Sequence, residues 1–289
     1  MTTNNKNNQF NEGQFKVFDA ETMPDLYKEH NGSAHFALTD ALITYAGEND
    51  QPILHFWQTP PLVILGMMDT KIGHFEQALE VFENSKHEYL IRNSGGLAII
   101  SDPGVLNVSL IYPSSADQRV SIDEAYDRML HFVQETFYPY FPKKEIEAFE
   151  IKHSYCFGDY DLSIDGRKIA GISQRRIQEG VAVMIYISIN GNQQERAELL
   201  KKFYTIGLDG TEPDGRYPDI KPEVMASLEE VYQTELKVDE VKDKMLHHFR
   251  WTKGEYLPDL MADFEIALDK MYKRNEKFLG ENHIKNNLN

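Results

Sequence analysis

Apolar and polar positions alternate along this chain in blocks of strand and helix period. Ala34, Leu38, Ala41, Leu42 and Tyr45 share one helical face, predicting a helix over 33–45 with Ser33 as its N-cap. The apolar runs 52–57 and 62–66 flank Thr59, Pro60 and Pro61 and read as two strands joined by a turn, the second apolar throughout and therefore central. A helix over 73–85 and a strand over 87–92 follow. The stretch from 92 to 109 then reads as two strands, entered through Gly95 and Gly96 and turned at Pro103 and Gly104. Ser121 and Glu124 have the spacing of a capping box, opening a helix whose Ile122, Tyr126, Met129, Val133 and Phe137 share a face until Pro139 ends it. Segments 160–164, 168–174 and 181–189 predict a three-stranded meander, followed by a helix over 194–204. From Pro222 the pattern turns helical. After a break at 251–254, Leu257, Met261, Phe264, Leu268 and Met271 form the last stripe. Strands with interspersed helices predict an α/β or α+β sheet domain.

Composition narrows the picture. The 289 residues are 41% hydrophobic and 26% charged, an ordinary globular balance with room for a sizeable core. The formal net charge of −16 repels phosphate backbones and anionic lipid, and a tight basic pair such as Arg175 and Arg176 is too small to reverse that. Neither nucleic acid nor a membrane surface is therefore expected as a partner. The N-terminus has no apolar signal core, and no run approaches the roughly 18–20 apolar residues of a membrane helix, so the chain reads as cytoplasmic. Its single cysteine allows no internal disulfide and no cysteine-based zinc site, which fits a reducing compartment. Residues 1–13, rich in Asn and Gln, read as a flexible tail, and 286–289 as frayed.

That cysteine, Cys156, lies among small, polar and aromatic residues rather than in an apolar run. Asp165 and Gly166 form a two-residue hairpin signal, and the returning strand can bring Lys168 near Cys156. A thiol of ordinary pKa, about 8.5, is only a few per cent thiolate at neutral pH; a nearby ammonium makes more of it available. The plain alternative is a buried, inert cysteine packed as a small hydrophobe. Asp159, Asp161 and Asp165 read as solvated turn caps, and His153 as a local hydrogen-bond partner with a triad base as the lesser option. Gly95 and Gly96 permit close backbone approach to a ligand, although a plain turn would use them equally well. Their spacing is neither a P-loop nor a dinucleotide fingerprint, so no nucleotide cofactor is predicted.

Two stretches taken together resemble the biotin/lipoate protein ligase superfamily. One is RNSGGLA at 92–98, with Gly104, Val105, Leu106 and Asn107 after it. The other is YCFGDYDLSIDGRKIAGISQRR at 155–176, similar almost residue for residue to the superfamily's octanoyltransferase branch. The likeness runs in order from Leu62 to Tyr204. It implies an α/β fold of the ligase catalytic-domain type over 14–250, a mixed β-sheet with covering helices, and a docked helical C-terminal segment over 251–289. It implies that Cys156 is an acyl-thioester nucleophile and that Lys168 lowers its pKa and can take the acceptor's proton. Arg92, Ser94, Gly95, Gly96, Asn107 and Gly171 would bind substrate, with the paired glycines lining an acyl tunnel. The implied reaction moves an octanoyl group from the lysine of the glycine cleavage system H protein to lysines of lipoyl domains of 2-oxoacid dehydrogenase E2 subunits, with no cofactor. The ligases carry a third glycine and a His-Asp step where this chain has Leu97 and Ser101 with Asp102, which tells against adenylate binding. An octanoyl donor on acyl carrier protein, and a non-catalytic module that holds lipoyl domains, are the alternative readings. Docking to acidic lipoyl domains would use a local patch that includes Arg175 or Arg176.

Overall fold

In the computed structural model, which describes residues 14–280 apart from 31, 118, 212, 214 and 248, the strands sort into two sheets. The segments 1–13 and 286–289 lie outside the described residues. In chain order the elements are β1 (Phe15–Asp19), α1 (Pro24–His30), α2 (Ser33–Asn49), β2 (Ile53–Trp57), β3 (Leu62–Leu65), α3 (Phe75–Glu83), β4 (Glu88–Ile91), β5 (Ile99–Ser101) and β6 (Val105–Pro113). They continue with α4 (Ile122–Phe137), β7 (Glu147–Ala148), β8 (Leu162–Ile164), β9 (Arg167–Ile177), β10 (Gly180–Ser188), α5 (Gln193–Gly207), α6 (Leu228–Tyr232), α7 (Val238–Leu246), β11 (Trp251–Lys253) and α8 (Pro258–Leu279).

The large sheet has the order β11-β1-β2-β6-β10-β9-β8-β7, parallel from β11 to β2 and antiparallel from β2 onward. Its central strands β6 and β10 are buried along almost their whole length and are mainly apolar on both faces. On one side α4 and α7 bury Met129, Phe132, Val133 and Met245 against Leu110, Val183 and Ile185. On the other side α2 lies between the sheet and α8, which is why most of its residues are apolar and buried. The small sheet, β4-β3-β5, packs with α3 and α5 around Phe82, Leu200 and Phe203.

Several expectations shift. The runs predicted as 52–57 and 62–66 do not form a hairpin: β2 joins the large sheet, and β3 is the central strand of the small one. β5 and β6 separate in the same way, so Pro103 and Gly104 turn the chain from one sheet to the other. Helix α2 is capped at Gly32, one residue before the predicted Ser33. Ile122 is 60% exposed, because it is the first residue of α4 and the buried face is carried by Ala125, Met129, Phe132 and Val133. The predicted break at 251–254 contains β11, which pairs with β1 in parallel. The meander and the Ser121 cap form as read, with Ser121 Oγ accepting the Glu124 N–H.

Besides packing on α2, helix α8 is tied to β4 through one side chain. Asn275, buried in the last turns, accepts the Ile91 N–H at 2.7 Å and donates to the Ile91 carbonyl at 3.1 Å, closing the open edge of β4 as a neighbouring strand would. Replacing Asn275 with Ala leaves both Ile91 backbone groups buried without partners. The expected cost is about 2–4 kcal/mol, read as a lower urea midpoint at unchanged slope.

Candidate functional site

Lys168, near the start of β9, has no exposed surface. Its ammonium donates to Asp161 Oδ1 at 2.8 Å, to the carbonyls of Tyr155 and Cys156 at 2.9 and 2.8 Å, and to Ser154 Oγ at 3.3 Å. Asp161 also accepts the Ile151 N–H at 3.1 Å. The turn 151–156 is thereby wrapped around a buried charge, and Cys156 takes a left-handed φ of 48°, a conformation that costs a non-glycine residue about 1–2 kcal/mol. The hairpin does bring Lys168 to Cys156, but to its carbonyl. The sulfur receives other donors.

Those donors come from the 92–98 loop. Leu97 N–H points at Cys156 Sγ from 3.3 Å, and Arg92 Nη2 lies 3.7 Å from the same sulfur. Arg92, itself buried, also holds the Gly95 and Leu97 carbonyls at 2.8 and 2.9 Å through Nη2. A Cβ on Gly96, where φ is 93°, would stand 2.5 Å from that guanidinium and 3.1 Å from the sulfur. Only glycine fits there.

Cys156 opens on a largely apolar cavity over the large sheet, lined among others by Phe36, Trp57, Ile64, Ile99 and Met184. Arg92, Ser94, Asn107 and Gly171, predicted from sequence, line it as well. Gly95 and Gly96 are not part of that wall; they shape the loop behind the sulfur. Asn107, Tyr186 and Gly171 lie side by side on β6, β10 and β9, and a Cβ on Gly171 would sit 2.6 Å from the Tyr186 ring. Of the apolar run 62–65, Ile64 reaches the cavity and the remainder is core. Burial holds the His55 imidazole down at about 3 and that of His35 well below its ordinary range, so both are neutral packing groups, His35 stacked on Trp57 at 4.5 Å.

Expectations for the charged residues around the cysteine fare differently. Asp161 is no solvated cap: it is 2% exposed and paired with Lys168, whereas Asp165 is the turn residue and pairs with Lys144 at the surface. The signal was available, since 161 falls inside the predicted strand 160–164 and not in its turn. Of the two arginines expected in a docking patch, Arg175 is neutralised by Asp40 and Arg176 remains exposed. Arg175 is bound through two nitrogens to Asp40 and through Nη1 to the Asn93 carbonyl at 2.7 Å, and Arg176 caps the Val120 and Ser121 carbonyls at 2.8 and 3.0 Å. His153 pairs with Asp219 at 3.2 Å, which answers its ring nitrogen without the cysteine. Among the described residues no group of three His, Cys, Asp or Glu side chains is arranged to hold a metal ion, and no helix is long and apolar enough to cross a membrane.

The site is thus a cysteine facing a largely apolar cavity in a two-sheet α/β domain, with a buried lysine behind its peptide. The family described as the lipoyl protein ligase A/B catalytic domain matches residues 31–250, and the chain belongs to it. Among its relatives, the octanoyl-[GcvH]:protein N-octanoyltransferase of Geobacillus kaustophilus is 43% identical over 273 residues, covering 92% of this chain and 94% of that protein. The protein of the same name from Oceanobacillus iheyensis is 36% identical over 269 residues, covering 91% and 95%. The fold is also similar to that of a bipartite lipoate protein ligase from Thermoplasma acidophilum, with a TM-score of 0.63 at 16% identity over 93% of this chain and 97% of that one.

Removing the ammonium while keeping the side chain's bulk tests the buried pair. Lys168→Met strands Asp161 as an unpaired buried carboxylate, with an expected loss of about 3–5 kcal/mol at pH 7 by urea unfolding. Burial already raises the Asp161 carboxyl and Lys168 opposes that rise. Without the lysine the folded state takes up a proton more readily than the unfolded one, so the loss shrinks as pH falls toward 5. Adding Asp161→Asn to Lys168→Met should recover part of the stability at pH 7.

Proposed function

We propose that this chain transfers an octanoyl group between protein lysines through a thioester on Cys156. The observation that carries the reading is the placement of one sulfur at an apolar cavity with a backbone N–H and a guanidinium directed at it. A donor with a cation beside it favours a thiolate, and the largely apolar lining matches the chemistry of a saturated chain. The relatives' names supply the donor: the octanoylated H protein of the glycine cleavage system. The acceptors are lipoyl domains of E2 subunits. A single thiol that must stay reduced suits the cytoplasm.

In the first half-reaction Cys156 Sγ attacks the octanoyl amide carbonyl, the C–N bond breaks, and the donor lysine leaves with a proton as its amine. In the second, an acceptor lysine amine attacks the thioester, the C–S bond breaks, and the amine gives up a proton. The thiolate released at Cys156 takes that proton, which restores the thiol, while the buried Lys168–Asp161 pair holds the Cys156 peptide in place. One amide replaces another, so no nucleotide is consumed. The positions at which this chain departs from the ATP-using ligases are occupied by structural bonds. Leu97 is buried in the core, Ser101 Oγ is shared by Thr59 and Asn107 at 2.8 Å each, and Asp102 accepts from Arg196 Nε at 2.8 Å.

Intact-mass spectrometry of the chain incubated separately with octanoylated H protein and with octanoyl-acyl carrier protein tests this. An octanoyl adduct from the H protein, absent from Cys156→Ala and cleared by an unmodified lipoyl domain, is the expected result. An adduct from acyl carrier protein alone would move the chain to the other transferase class. Acyl transfer retained by Cys156→Ala would remove the cysteine from the mechanism.

A further inference from the structure

Under the loop that carries the Leu97 N–H runs a buried polar chain that the proposed chemistry does not use. The Tyr204 hydroxyl, on α5, accepts the Ala98 N–H at 3.1 Å and donates to Asp69 Oδ1 at 2.7 Å. Asp69 Oδ2 accepts the Gly66 N–H at 2.7 Å. Both side chains are buried, Asp69 completely. Gly66 also abuts the loop, since a Cβ there would fall 1.9 Å from the Gly96 carbonyl oxygen. The peptide that follows Leu97 is therefore gripped by Tyr204 and Asp69, while Arg92 grips the carbonyls on either side of Gly96.

We infer that Asp69 and Tyr204 are positioning residues for Cys156: they fix the Ala98 amide, and so aim the Leu97 N–H at the sulfur, with a grip that requires the Asp69 carboxylate to be ionised. The inference rests on the reading of Cys156 as the nucleophile. An ionised carboxylate only accepts hydrogen bonds, so it draws the Tyr204 proton to itself and leaves the phenol lone pairs facing Ala98. A protonated Asp69 is a donor. It then either donates to the phenol oxygen that the Ala98 N–H uses or offers the Gly66 N–H a weaker, hydroxyl acceptor.

A neutral asparagine would link Gly66 and Tyr204 with no buried charge, so a purely structural strut has no need of the acid. Burial pushes Asp69 up to about 6, against the opposing pull of Tyr204, the Gly66 N–H and Arg92. The charged and titratable groups that face the pair are Arg92 from the 92–98 loop and, toward Tyr204, Cys156 and Tyr217, whose hydroxyl donates to the Met68 carbonyl beside Asp69. The neighbouring Lys71 is exposed to solvent. The switch in Asp69 therefore falls at mildly acidic pH.

The test is the rate of Cys156 alkylation by iodoacetamide in the full chain from pH 5 to 8, with urea melts alongside, for the wild type, Tyr204→Phe, Asp69→Asn and the double variant. Alkylation needs no acyl substrate, so it reports on the positioning whether or not the wild type transfers octanoate. Each single variant should slow alkylation at pH 7.5 by about five- to ten-fold, the loss of one or two hydrogen bonds. The double variant should be no slower than the slower single one, because the two residues act in series. The wild-type pH profile should bend near 6, and Asp69→Asn should lack the bend. Wild-type alkylation rates in folded Tyr204→Phe, or a bend that survives Asp69→Asn, would overturn the inference. Should Asp69→Asn fail to fold, the Tyr204→Phe rates and the presence or absence of the wild-type bend decide it.

Discussion

A single buried ammonium dictates the geometry around the sulfur. Moving an amine out of water costs several kcal/mol unless every proton is answered, and Lys168 is answered by Asp161, by Ser154 and by two consecutive carbonyls of the cysteine turn. None of these acceptors can drift without exposing the others' deficit. The turn must therefore close around the amine, which forces Cys156 into its left-handed conformation. In that conformation the sulfur meets the Leu97 amide. Positive charge thus acts on the site mainly through the backbone, and Arg92 is the cation that approaches the sulfur itself.

The sulfur also sits where the two sheets meet. Its own turn hangs from the large sheet through Lys168 on β9, and its donors hang from the small sheet through the loop between β4 and β5. Strands that elsewhere carry aliphatic side chains place Asn107, Ser109, Gly171 and Ser173 in the same cavity. Such breaks in an otherwise apolar pattern are expected at sites and are costly in plain core. Gly171 illustrates the trade: it gives up strand propensity and makes room for the Tyr186 ring.

How much of this was legible follows from the range of each interaction. Elements set by local periodicity or capping, such as α4 behind Ser121 and the meander β8-β9-β10, could be read directly. Sheet membership could not. Nothing between β2 and β3 says that the Pro60–Pro61 turn leads into a different sheet, because that choice is made by partners far away in sequence. The same distinction runs through the site. Cys156 and Lys168 were legible because a hairpin joins them, and Arg92, Ser94, Asn107 and Gly171 through a family motif. Tyr204 and Asp69 lie 135 residues apart and meet only through packing. Arg175 shows the opposite error, a charge that looks available in sequence and is bound by Asp40 from a distant helix.

On the proposed chemistry the cavity has an energetic role beyond holding the chain still. A thioester is the less stable acyl derivative, so the half-reaction that converts a lysine amide into acyl-Cys156 runs uphill, and an acyl-enzyme left in water would revert or hydrolyse. Each buried methylene contributes about 0.8 kcal/mol, so the seven carbons beyond the carbonyl of an octanoyl group can offset on the order of 5 kcal/mol of that slope. The largely apolar lining around Phe36, Trp57 and Ile64 is suited to supply it. Because the same burial stabilises the acyl-enzyme whichever partner the chain came from, it favours neither donor nor acceptor. The direction of transfer is then left to the concentrations of the two lysine-bearing proteins, which is the behaviour required of an exchange that consumes no nucleotide.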